Sequence, residues 1–87
     1  MGKKFILAAF SKDRPGVVSD ITRLLYENGC NLEDSSMANI RDEFAILLLF
    51  NGKGDGFKDR LTEGCQRLEK EKGITAYIRA VLRRPRL

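Results

Sequence analysis

The sequence predicts an α+β domain of order βαββαβ, a ferredoxin-like split with two helices on one face of a four-stranded antiparallel sheet. Three observations predict it. Two strand-like apolar runs each lead into an amphipathic stretch at helical spacing. A second strand-like run follows each of those stretches, so the 87 residues hold two βαβ units of similar length. Arg41-Asp42 reads as a hairpin tip joining the two units.

Taken in order, Lys4 to Phe10 is rich in Phe, Ile and Leu and reads as strand one. Ser11 to Val18 joins it to helix one, expected from Pro15 to Asn28. Proline suits a first helical turn, where its missing N–H has no partner to lose. Gly16 lets the backbone approach another group closely. Val17, Val18, Ile21, Leu24 and Leu25 form the apolar stripe of this helix, and Gly29 stops it.

Asn31 to Ile40 is strand two. Strict alternation puts Leu32, Ala38 and Ile40 on one face and Met37 on the other, while the polar middle, Glu33 to Ser36, suits an edge strand or a bulge. Glu43 to Phe50 is strand three. Asn51 to Gly56 is a glycine-rich loop whose Lys53 is followed by Gly54, not by the Ser or Thr that a phosphate loop requires. Asp55 is expected to cap helix two, from Gly56 to Lys72, with Phe57, Leu61, Cys65 and Leu68 as its apolar stripe and Gly73 at its end. Ile74 to Leu82 alternates as strand four, and residues 82–87 close the chain as a basic tail.

In this topology strands one and three are central and strands two and four are edges. Strand three is apolar at both parities, with Phe44, Ile46, Leu48 and Phe50 on one side and Ala45, Leu47 and Leu49 on the other. A sheet with one wet face alternates apolar and polar. The helix-free face is therefore expected to be covered at its centre by a second copy or another domain. The plainer alternative is that Ala and Leu there are tolerated partly exposed.

The composition bounds the function. Residues 1–87 make a single domain, and a core this small is often supported by oligomerisation. Hydrophobic residues are 43% and charged residues 32%, as in ordinary globular chains. The net charge of +4 permits nucleic-acid binding without requiring it, because much of the excess lies at the chain ends. Histidine is absent, which removes the commonest general base and metal ligand. Cys30 and Cys65 are isolated, without zinc or CxxC spacing, and read as free core or near-core thiols in a reducing compartment. The apolar stretches are too short for a signal peptide or a membrane span, so a cytoplasmic location and no membrane partner are expected.

Asp13-Arg14-Pro15-Gly16-Val17-Val18, the helix after it, and then Gly29-Cys30-Asn31-Leu32 strongly resemble the ACT domain. The stretch Asn31 to Ala38 followed by Glu43-Phe44-Ala45 is similar to the glycine-cleavage regulator group and to the N-terminal module of formyltetrahydrofolate deformylases. The resemblance implies a regulatory module that senses an amino acid or related metabolite as an allosteric homodimer, joined through strand-two edges. It places the ligand between the loop after strand one of one copy and the start of strand two of the other. Carried onto this chain, the loop positions are Ser11 and Asp13 with the backbone around Pro15, Gly16 and Val17, and the strand-two positions are Asn31 and Leu32. Serine-binding members have His and Asn where this chain has Ser11 and Asp13, so a different ligand, or none, is implied. The chain reads as a free-standing module or as a piece of a longer protein, with a second ACT module or a regulated protein on the open sheet face.

Each candidate also has a structural role open to it. Asp13 can cap helix one, and Asn31 can satisfy backbone groups at a strand start. A protein-interaction module without ligand is the alternative function. RNA binding on the same topology requires exposed stacking aromatics on strand three, and Arg41-Asp42-Glu43-Phe44-Ala45-Ile46 is acidic and mostly aliphatic instead. An enzyme is not expected: no nucleophile stands beside a base, and no cofactor or metal motif is present.

Overall fold

A computed structural model of the chain describes residues 3–52 and 56–81. Strands β1 (Lys3–Lys12), β2 (Asn31–Ile40), β3 (Glu43–Gly52) and β4 (Thr75–Ala80) alternate with helices α1 (Val17–Glu27) and α2 (Phe57–Lys72) in the expected order. The sheet order is β2-β3-β1-β4, and all three pairings are antiparallel. The central strands are β1 and β3, as their apolar content predicts.

The core lies between the helices and one face of the sheet. Phe5, Leu7 and Ala9 of β1 and Phe44, Ile46, Leu48 and Phe50 of β3 point into it. Val17, Ile21 and Leu25 of α1 and Phe57, Leu61 and Cys65 of α2 close it from above. These are the two stripes that helical spacing picks out. Phe5, Phe50 and Phe57 form an aromatic cluster at one end, with ring centroids 5.5 to 6.4 Å apart. Burial pushes the thiols of Cys30 and Cys65 up to about 11, so both stay protonated at neutral pH.

Several boundaries depart from expectation, each for a local reason. β1 runs two residues beyond Phe10, because Ser11 and Lys12 pair with Phe44 and Glu43 in the register of the long central ladder. α1 starts after Pro15, at Val17, because Gly16 has φ 87° and a left-handed residue cannot lie inside a right-handed helix. α2 starts after Gly56, which takes the same conformation at φ 74°. β4 is shorter than Ile74 to Leu82: Ile74 is fully buried just before it, and pairing extends from Thr75 to Ala80. The expected cap Asp55, the Lys53-Gly54 pair and the tail at 82–87 lie outside the described residues.

Strand β2 carries the bulge that its polar middle suggested. The register shifts between Leu32 and Asp34, so strict alternation fails there. Leu32 stands opposite Phe50 on the helix side, together with Met37, opposite Ile46. Ala38 and Ile40 instead share the open face with Asp34 and Ser36, opposite Ala45, Glu43, Leu49 and Leu47. Every residue of β2 is exposed, and the strand is a ten-residue edge with β3 on one side only.

Candidate functional site

The turn from β1 into α1 is held by backbone and side-chain bonds. The Asp13 N–H donates to the Asp42 carbonyl at 2.8 Å, which ties the turn to the hairpin tip. The Arg14 guanidinium reaches Asp20 on the first turn of α1 at 3.1 Å and donates to the Pro15 carbonyl at 3.2 Å. Gly16 then serves as N-cap, its carbonyl accepting from the Asp20 N–H at 2.9 Å. No side chain caps this helix. Its first-turn N–H groups keep the partial positive charge of a helix start.

Asp13 therefore does not cap α1. The left-handed Gly16 intervenes, and the Asp13 carboxylate turns the other way, to accept from the Asn39 side-chain amide of β2 at 2.8 Å. Sequence reasoning missed Asn39. The hairpin contained a signal for it: Asn39 pairs with Phe44, which pairs with Ser11, so the three form one row that ends beside Asp13.

The remaining candidates divide between opposite ends of the sheet. Ser11 is not in the loop. It belongs to β1, is buried on the helix side, and donates its hydroxyl to the Lys12 carbonyl at 2.9 Å. The Val17 side chain is buried in the core, so only its backbone faces the turn. Pro15 and Gly16 are exposed there. Asn31 and Leu32 begin β2, eight residues from Asn39, which is roughly 26 Å along a strand. Within one copy, Asp13 and Asn31 do not meet.

Leu32 borders a groove of about 440 Å³ between the outer side of α1 and the start of β2. Ser19, Thr22, Arg23, Tyr26 and Cys30 also line it. Its floor is apolar, its rim offers the hydroxyls of Ser19, Thr22 and Tyr26 and the Arg23 guanidinium, and Tyr26 and Leu32 are 84% and 47% exposed. Such a groove suits a small molecule with an apolar body and an anionic group, or the same edge of another chain. Among the described residues no three His, Cys, Asp or Glu side chains are grouped to hold a metal ion. No described helix is long and apolar enough to cross a membrane.

The glycine cleavage system transcriptional repressor of Escherichia coli is 43% identical to this chain over 47 residues, 54% of this chain and 25% of the repressor. The UPF0237 protein MK1213 of Methanopyrus kandleri is 31% identical over 74 residues, 84% of this chain and 82% of that protein. The crystal structure of a formyltetrahydrofolate deformylase from Pseudomonas putida superposes with a TM-score of 0.73 at 26% identity, over 94% of this chain and 30% of the enzyme. This chain thus spans about a quarter of the repressor and about four-fifths of the Methanopyrus protein. The model of the ACT domain matches residues 3–83, so the βαββαβ sheet, the Asp13-to-Val18 turn and the Gly29-to-Leu32 entry all fall inside the match, and the chain belongs to the ACT domain family of regulatory small-molecule-binding modules.

Proposed function

We propose that this chain is a non-catalytic regulatory module that binds an amino acid or a related small metabolite at an interface between two copies joined along β2. The observation that carries this reading is the tie between Asp13 and Asn39. It holds a carboxylate at the Ile40 end of an exposed edge strand, next to an uncapped helix start. If two β2 edges pair antiparallel, Asn31 of one copy comes to the Ile40 end of the other, beside Asp13. A ligand ammonium would then meet Asp13, a ligand carboxylate the N–H groups of α1, and Asn31 would supply both a donor and an acceptor. The absence of histidine from the sequence fits binding without catalysis.

Calorimetric titration against a panel of amino acids tests this. One member is expected to bind, with Asp13→Ala and Asn31→Ala each weakening it by about tenfold or more, the loss of a charge-assisted or buried hydrogen bond. Binding by no member would leave the interaction-module reading. That reading has its own support in the exposed apolar centre of the sheet, where Leu47 is 52% and Phe10 49% exposed. Strand β3 presents Ala45, Leu47 and Leu49 on that face and no aromatic ring, which disfavours RNA.

A further inference from the structure

The helix-free face of the sheet is a grid whose rows can be read from the strand registers. One row is Asp34–Leu49–Ile6–Arg79, running from the β2 edge to the β4 edge. The next is Ser36–Leu47–Ala8–Tyr77. The third is Ala38–Ala45–Phe10–Thr75. The centre is apolar and each end is closed by charge. Lys4 pairs with Glu33 at 3.1 Å at one end, where Asn51 also bonds Glu33, and Lys12 pairs with Glu43 at 3.3 Å at the other. An apolar centre with a polar rim is how protein interfaces are built.

We propose that this face binds a second copy of the chain, sheet against sheet, about a two-fold axis parallel to the strands and between β1 and β3. This goes beyond the β2-edge reading and does not depend on it. The axis lays β4 of each copy over β2 of the other and keeps every row over itself. Arg79 then meets Asp34 of the second copy, Lys12 meets Glu43, and Lys4 meets the Glu33–Asn51 pair. Leu49 and Leu47 lie over Ile6 and Ala8. Each charge on the face thereby finds its opposite. The other in-plane axis, across the strands, lays β1 over β1 and brings Lys4 against Lys12, a like-charge contact at both ends.

Shape agrees with charge. A depression of about 260 Å³ on the β2–β3 side of the face is lined by Ile6, Asp34, Ser36, Leu47 and Leu49. Tyr77, 63% exposed on the opposite edge, lies in the row that this axis carries over it. An aromatic ring needs about 150 Å³, so the ring of Tyr77 has room there. Aligned sheets pack about 10 Å apart, a gap that Tyr and Arg side chains span. Three strands of ten residues and one of six give a flat footprint of roughly 570 Å², about seven-tenths of the roughly 800 Å² per partner of a stable interface.

Sedimentation equilibrium of the full chain tests the proposal through a charge swap. Arg79→Asp and Asp34→Arg are each expected to raise the dissociation constant of the face-dependent step at least tenfold, and the double variant to bring it back to within about threefold of the unmodified chain. Pairing along β2 leaves β4 out of contact, so the effect of Arg79→Asp reads the sheet face alone. A chain that stays monomeric at about 100 µM, an Arg79→Asp variant that associates as before, or a double variant that does not recover would each overturn it.

Discussion

Glu33 shows how one extra residue in a strand creates a local electrostatic device. As the bulge residue it leaves the ladder and reaches across the open face to Asn51 and Lys4. The hydrogen bond from Asn51, and after it the bond and charge of Lys4, hold its carboxyl below the ordinary carboxylate value. A carboxylate with a depressed folded value contributes stability above its ordinary value and loses that contribution as pH falls through the depressed one. Carbon-detected NMR titration of the side chain should therefore show Glu33 titrating below the ordinary glutamate value. Asn51→Ala should move it upward more than Lys4→Ala does, and an ordinary value in the unmodified chain would remove the basis for this account. Asp13 is the counterpart at the other end of β2. Its type was legible as a candidate in the sequence, but its partner was not, because Asn39 lies 26 residues away and meets it only through the hairpin.

At the scale of elements, what positions the site is the way each helix begins. Gly16 and Gly56 both stand at left-handed φ immediately before their helices, so neither start relies on a side-chain cap. Each helix then drops its first buried residue, Val17 or Phe57, onto the sheet within its first turn. Gly52, the last residue of β3, is needed for the second of these landings. A Cβ there would overlap the Phe57 ring, which is buried against Phe5 and Phe50. Gly52→Ala is expected to lower the unfolding free energy by about 2 to 3 kcal/mol in urea denaturation, the cost of overpacking a rigid core. A change below about 0.5 kcal/mol would show that the ring has another rotamer available. The amphipathic stripes and their terminal glycines were readable because helical spacing and Gly punctuation are local properties. The bulge position was not, since a polar run allows a shift anywhere along it and the β3 ladder selects the place.

For the whole molecule, the notable fact is how much apolar surface remains after folding. One helix layer covers one face of the sheet, and the described residues leave two surfaces open. The first is the β2 edge with its groove, where Leu32 and Met37 are 47% and 55% exposed. The second is the sheet face with Phe10, Leu47 and Tyr77. Exposed patches of this kind mark association sites, and association stabilises a folded chain by mass action. The melting temperature should accordingly rise with protein concentration, by roughly 3 to 6 °C for each tenfold increase once copies associate. A melting temperature independent of concentration, measured by differential scanning calorimetry, would mean that the folded chain does not self-associate in that range. The two surfaces point in different directions, so side-by-side and face-to-face contacts can be separated by variants on β2 and on β4.

The βαββαβ order, the two helix stripes and the family were legible in the residues alone, because each rests on short-range periodicity or on a contiguous motif, and the central place of strands one and three followed from that order. The sequence also singled out Asp13 and Asn31. Where these stand came from the folded chain: Asp13 bonded to Asn39 instead of capping its helix, Ser11 inside a strand instead of a loop, and Asn31 at the far end of β2. Those placements follow from pairing registers and from the backbone sign at Gly16. Both are set by contacts between residues distant in the chain, which no local pattern encodes.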